Sequence, residues 1–274
     1  MIIDAHLHLS SHEYMDQTAL AAGHVNTPEH LAQVFAAENI ELGIVMGGED
    51  APAFPAAAPD LRFCLGVRSE RLEADPEAEL ARIEKALHDP LCVGLKFYPG
   101  YDRRYPADRC FFPAYELAAS FDKTVVFHTG DTAGTHGVLK YAHPLGVDEA
   151  ASEFPGTRFV LAHCGNPWIV DAVEVAAKNP NVALDLSGLA TGNFAPDELY
   201  MRYESYWKYL RMWIDYLSDD AKIMYGSDWP LVNIPAYIAL MRRVVPERAH
   251  EAFFCGNARR IFRLGAGEFE PVRR

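Results

Sequence analysis

Nowhere do about 18 apolar residues follow one another, so no membrane-spanning helix is expected. Positive charge is also scarce: 25 Lys and Arg stand against 38 Asp and Glu, a formal charge of −13. With no net basic field to attract phosphates, a general nucleic-acid partner is not expected, although a local cationic pocket for an anionic small molecule is compatible. The five cysteines (Cys64, Cys92, Cys110, Cys164, Cys255) form no C-x-x-C pair and are odd in number, so they read as buried free thiols. The start, M-I-I-D-A-H, carries neither a basic region nor an apolar stretch of signal length, which predicts a cytoplasmic protein. There is no G-x-S-x-G, no P-loop and no dinucleotide fingerprint, and no repeat, low-complexity tract or Gly/Ser linker.

What is present is half hydrophobic and 23% charged, enough apolar residue to bury a full core. Short apolar or β-branched runs alternate with helical patterns along the chain, the sign of βαβ units and a parallel sheet. Strands are predicted over 2–7, 42–47, 62–67, 92–97, 124–128, 158–163, 182–187 and 222–226. Helices are predicted over 28–38, 76–88, 112–121, 147–153, 168–178, 197–217, 235–244 and 247–264. Only the stretch between the second and third strands lacks one, because three prolines in A-P-A-F-P-A-A-A-P forbid it. Eight strands can close into a barrel, so the expectation is a single α/β domain over 1–274, a distorted (β/α)8 (TIM) barrel.

Five segments end predicted strands: D-A-H-L-H at 4–8, G-L-K-F-Y-P at 94–99, F-H-T-G-D at 127–131, L-A-H-C-G-N at 161–166 and Y-G-S-D-W-P at 225–230. In a parallel barrel all five tips meet at the carboxyl-terminal rim, where barrel enzymes do their chemistry. His6 and His8, two apart on a strand beside Asp4, face the same side, and neutral imidazole is a preferred zinc ligand. His128 and His163 each close a strongly apolar strand. Asp228 follows the eighth strand, where one carboxylate oxygen can hold a metal and the other accept a proton. Hydrogen-bonded core histidines and a helix-capping aspartate are the plain structural alternatives. Cys164, adjacent to His163, is not expected to act as a nucleophile.

The ordered set H-x-H, H-T-G, A-H-C-G and G-S-D-W-P, together with the closing C-G-N-A-R-R-I-F, resembles the amidohydrolase superfamily, in particular its amidohydrolase-related (amidohydrolase 2) branch. That resemblance implies a single-domain metal-dependent barrel and either hydrolysis or non-oxidative decarboxylation. By position it implies His6, His8, His128 and Asp228 as metal ligands and His163 as a residue that polarises substrate or moves a proton. The implied cofactor is one divalent ion, zinc by default, with manganese compatible. Lys96 matches the lysine that binuclear members carboxylate to bridge a second ion, which His163 would then bind. It reads equally as a point charge for a substrate carboxylate, or as a rim lysine paired with Asp131 or Asp228.

The loop Y-P-G-Y-D-R-R-Y-P places Arg103 and Arg104 among tyrosines and can clamp an anionic substrate or be an ordinary solvated loop. Tyr98, Arg103, Asp131, Asn166 and Trp229 are candidate substrate contacts with Lys96, and His136 and Trp168 are weaker wall candidates. Tyr203, Trp207, Leu210, Ile214 and Leu217 fall on one helical face, read as core or as a homodimer interface. His24, His30, His88, His143 and His250 read as surface residues. The leading expectation is hydrolysis of an amide, ester or lactone carbonyl in a small, anionic substrate. Decarboxylation of an aromatic or unsaturated carboxylate is the alternative, and a non-catalytic binding barrel the third reading.

Overall fold

The computed structural model describes residues 1–10 and 12–265. Its centre is one sheet of eight parallel strands in chain order: β1 (Ile2–Leu7), β2 (Ile40–Gly48), β3 (Leu61–Gly66), β4 (Cys92–Phe97), β5 (Thr124–Phe127), β6 (Arg158–Leu161), β7 (Val182–Asp185) and β8 (Ile223–Met224). The ring closes through backbone bonds between β1 and the chain after β8. Ala5 N–H donates to Tyr225 O at 3.1 Å, Asp228 N–H to His6 O at 2.7 Å and His8 N–H to Trp229 O at 2.7 Å. The expected distorted (β/α)8 barrel is what forms. Of the domain expected over 1–274, residues 266–274 lie outside the described residues.

Around the barrel run α1 (Glu13–Ala21), α2 (Pro28–Glu38), α3 (Ser69–Ala74), α4 (Pro76–Leu87), α5 (Phe112–Ser120), α6 (Leu145–Glu153), α7 (Ile169–Lys178), α8 (Pro196–Arg202), α9 (Glu204–Leu217), α10 (Ile234–Val244) and α11 (Asn257–Ile261). Thr27 and Asp75 cap α2 and α4 by accepting the His30 and Ala78 N–H groups, each ahead of a proline in the first turn. The sequence reading missed α1, whose only buried residue is Ala19, so no apolar stripe announces it. It also missed α3, only six residues long. The helix expected over 197–217 is two helices, because Tyr203 leaves the helical range (φ −116°, ψ 32°). The face of α9 is core at Trp207, Leu210, Ile214 and Leu217, whereas Tyr203, at the break, is exposed. No helix among the described residues is long and apolar enough to cross a membrane.

Two apolar layers hold the fold. Ile3, Ala5, Ile44, Val126, Val160 and Met224 fill the barrel interior, and Ala258, Ile261 and Phe262 pack onto this layer from the carboxyl-terminal helix. A second layer, including Phe35, Phe63, Phe97, Phe127, Phe159 and Trp207, joins strands to helices. The plug is anchored at the start of β5, where Thr124 Oγ1 donates to Ile261 O at 2.7 Å. One end of the barrel is therefore packed shut, which leaves the carboxyl-terminal end for chemistry. Packing is close enough that Gly94 on β4 has no room for a side chain: a Cβ there would sit 2.2 Å from Thr124 O of β5. Gly94→Ala is expected to cost about 3 kcal/mol of stability, read from the shift in the urea midpoint, because the obstacle is backbone that cannot rotate away.

Candidate functional site

The first two histidines reach the barrel axis through a slip in register. Asp4 pairs with Gly43 while Leu7 pairs with Val45, so three steps on β1 oppose two on β2. Such an extra residue reverses the in–out alternation of a strand. Ile3 and Ala5 point into the barrel, Leu7 packs in the outer layer, and His6 and His8 turn to the mouth. Asp4 lies at the β1–β8 seam, its Oδ1 accepting Ser227 N–H at 2.8 Å. Burial raises its carboxyl to about 7 against those hydrogen bonds.

His6 and His8 converge on Asp228. Asp228 Oδ1 lies 3.2 Å from His8 Nε2 and 3.6 Å from His6 Nε2. His6 Nε2 and Asp228 Oδ1 are both buried, and neither makes a hydrogen bond. Buried polar atoms left without partners are costly. A divalent cation among them would satisfy all three, and one nitrogen or oxygen from each residue is the donor set zinc accepts. The residues fit a metal. Burial pushes the Asp228 carboxyl up, but the neighbouring His163, His8 and His6 rings outweigh it and hold it well below the carboxylate range. Burial, helped by Lys96, drives His6 down to about 3 against the pull of Asp185, so its ring is neutral and able to ligate.

Asp185 at the end of β7 organises this cluster. Its Oδ2 accepts from His6 Nδ1 at 2.9 Å, and its Oδ1 accepts His163 N–H and Ser187 N–H, each at 3.0 Å, and the Ser187 hydroxyl. Because Ser187 gives its one proton to Asp185, His163 Nδ1 is the donor towards Ser187 O (3.1 Å) and Oγ (3.0 Å). The tautomer this hydrogen bonding selects carries its lone pair on Nε2. His163 lies just past β6 in a left-handed turn (φ 60°), and Asp228 is left-handed too (φ 67°). Non-glycine residues pay for that conformation, and such strain gathers at functional sites.

Lys96 is fully buried, and its Nζ has no hydrogen-bond partner. It is not the rim lysine of the plainest sequence reading, and it forms no ion pair with Asp131 or Asp228. Its ammonium stands 5.3 Å from the centre of the Tyr98 ring, and the Arg68 guanidinium stands 5.1 Å from the same centre. Burial lowers Lys96 to about 8, against the pull of Asp185 and Asp228. Folded Lys96 thus loses its proton at about pH 8, whereas the unfolded chain keeps it to 10.5. Between those values the unfolded state holds more protons, so this residue's destabilising contribution fades as pH rises. In metal-free protein, the stability advantage of Lys96→Met over the natural chain is expected to shrink by about 3 kcal/mol across that window. Parallel pH–stability curves for the two proteins would rule this out.

Residues 3–264 match the amidohydrolase family (Amidohydro_2). The chain belongs to that family. It is an enzyme of the amidohydrolase superfamily, and the members it resembles include both hydrolases and decarboxylases. Among similar solved structures is an amidohydrolase from Burkholderia multivorans with bound zinc: 19% identity, TM-score 0.62, covering 96% of this chain and 99% of that one. Another is 2,6-dihydroxybenzoate decarboxylase complexed with 2,6-dihydroxybenzoate, at 15% identity and TM-score 0.66, covering 96% and 99%. A third is 5-carboxyvanillate decarboxylase from Novosphingobium aromaticivorans complexed with manganese and 4-hydroxy-3-methoxy-5-nitrobenzoic acid, at 12% identity and TM-score 0.61, covering 96% of each chain. At such identities the likeness is one of fold. No curated protein sequence matches the chain.

The remaining family positions are less uniformly placed. His128 lies beside the cluster, its ring 5.0 Å from that of His163, but its Nε2 bonds to Asp131 O at 2.9 Å. Burial, His163 and Lys96 keep it well below the ordinary histidine value, hence neutral. Asp131 meets His128 through its carbonyl, while its exposed side chain accepts the Thr132 N–H at 2.9 Å. Tyr98 and Tyr101 form a wall against His128, with ring centres 6.4 and 5.0 Å away. Arg103 is exposed, as is His136. Trp168 packs on His143 at 4.8 Å. Trp229 is fully buried, its ring packed on those of His24 and His30. His24, expected at the surface, is buried, its Nδ1 3.1 Å from His30 Nε2. Cys164 is buried with its thiol pushed up to about 12 by burial and by Asp185, which leaves it inert.

Asp185, Ser187 and Arg68 escaped the sequence reading. Asp185 ends the run V-A-L-D, and an acid closing a buried strand was the available signal. Asn166 is placed beside the site, its Oδ1 accepting from the Tyr206 hydroxyl at 2.9 Å.

Proposed function

We propose that the protein hydrolyses the amide, ester or lactone carbonyl of a small carboxylated substrate, with one zinc or manganese ion held by His6, His8, His128 and Asp228. The observation that carries this reading is the convergence of unpartnered His6 Nε2 and Asp228 Oδ1 on His8 Nε2. His128 joins that set by exchanging its bond to Asp131 O. A divalent ion at such a site polarises a carbonyl and brings the pKa of water to about 7. Asp228, held as a carboxylate, takes the proton of the attacking water. His163 receives that proton at Nε2 while Ser187 and Asp185 fix its ring. As imidazolium it presents an N–H to the oxygen that gains charge, and then gives the proton to the leaving group. Lys96 and Arg68, with exposed Arg103 further out, supply positive charge for the substrate carboxylate.

Decarboxylation is the second reading, favoured by the buried, unpartnered Lys96 ammonium, a fitting seat for a carboxylate. In that reaction Asp228 or His163 would protonate the carbon, and the metal would orient the substrate. The test is metal-loaded enzyme with carboxylated aryl esters, amides and lactones, run in 18O-water. Label in the product acid is the expected result. Carbon dioxide release without label would sink hydrolysis, and two ions per chain with a carboxylated Lys96 would replace the single-ion site by a bridged one.

A further inference from the structure

A cavity of about 510 Å³ lies beside Asp228, between the loop after β7 and helices α8 and α9. Its walls include Leu189, Ala190, Leu199, Tyr203 and Trp207, with Asn166 and Gly188 on the side of the metal cluster. Gly188 (φ +65°) borders both: it lines the cavity, and a Cβ there would meet Asp228 Oδ2 at 2.7 Å, so its backbone lies directly against the carboxylate. The volume is that of a small-molecule site, and the lining is apolar and aromatic with one convergent amide. Asn166 Oδ1 is occupied by the Tyr206 hydroxyl, which turns the amide N–H groups into the donors on offer.

The cations lie on the other side of the mouth. Arg68 and Lys96 come from β3 and β4, and in an eight-strand ring these stand opposite β7 and β8. We infer that the substrate spans the mouth, its carboxylate towards Lys96 and Arg68 and an aryl-sized apolar group in the cavity under α8 and α9, where Asn166 selects for a hydrogen-bond acceptor. This rests on the metal-site reading above and adds the shape and polarity of the ligand.

The test uses zinc-loaded protein and two probes, benzoate and biphenyl-4-carboxylate, with affinities from calorimetry. Biphenyl-4-carboxylate is expected to bind about tenfold more tightly, from burial of the second ring. Thr191 is exposed on the cavity rim, so Thr191→Phe and Thr191→Trp fill the cavity from outside with little risk to folding. They are expected to remove that tenfold preference in graded steps and to leave benzoate affinity and zinc content unchanged. Equal affinity of the two probes for the natural chain overturns the inference while sparing the metal site, as does a preference that survives both substitutions. Failure of both probes to bind zinc-loaded protein overturns the site reading and the inference with it, and binding of benzoate alone overturns the inference only.

Discussion

Asp228→Asn is expected to lower kcat/KM by about 10⁴-fold, because in the proposed mechanism it removes a metal ligand and the proton acceptor in one step. Asparagine is the informative replacement. Asp228 sits at φ 67°, a conformation that Asn tolerates nearly as well as Asp, so the backbone bond to His6 O survives. The carboxylate is held ionised by His163, His8 and His6 against the effect of burial, and the amide supplies neither its charge nor its basicity. Turnover and bound metal should be measured on the same preparation. A variant with normal metal content and a loss under tenfold would remove Asp228 from the proton-transfer role.

Asp185→Asn is expected to weaken metal binding by about 10- to 100-fold, although Asp185 need not touch the ion. One oxygen orients His6 through Nδ1, so that Nε2 faces the cluster; the other gathers the His163 and Ser187 N–H groups and the Ser187 hydroxyl. An amide keeps one acceptor and turns a second N–H against donors already there. The His6 tautomer and the His163 orientation then loosen together, so kcat should fall more than loss of metal explains when zinc is saturating. Competition with a chromophoric chelator reads the affinity. Wild-type affinity in the variant would show that strand packing alone orients His6.

The two residues differ in legibility. Asp228 announced itself through G-S-D-W-P, a segment specific to its family, whereas V-A-L-D resembles any buried strand with a terminal acid. His6 and His8 were legible from spacing, but their inward orientation also depends on the register slip between β1 and β2. Alternation would otherwise have placed them opposite Ile3 and Ala5. Lys96 was visible as a residue type at a strand end, but its burial was not, since a long side chain can reach solvent or fold inward. Arg68 follows a strand in an unremarkable context and gains meaning only from the Tyr98 ring it shares with Lys96. Asn166 was a candidate from its segment, but the cavity it borders is made by α8 and α9, some 30 to 40 residues on.

By itself the sequence determined the barrel, the family and the residue types at its rim. Those follow from local periodicity and from short segments whose chemistry is carried by adjacent residues. The tertiary structure decided which atoms meet: the unpartnered His6 Nε2 and Asp228 Oδ1, the Asp185 hub, the buried ammonium and the cavity on the opposite wall. These depend on register, strand order and helix packing, which bring together groups as far apart as His6 and Asp228. Distances set over such separations are fixed by the packing of the whole barrel, and no single segment encodes them.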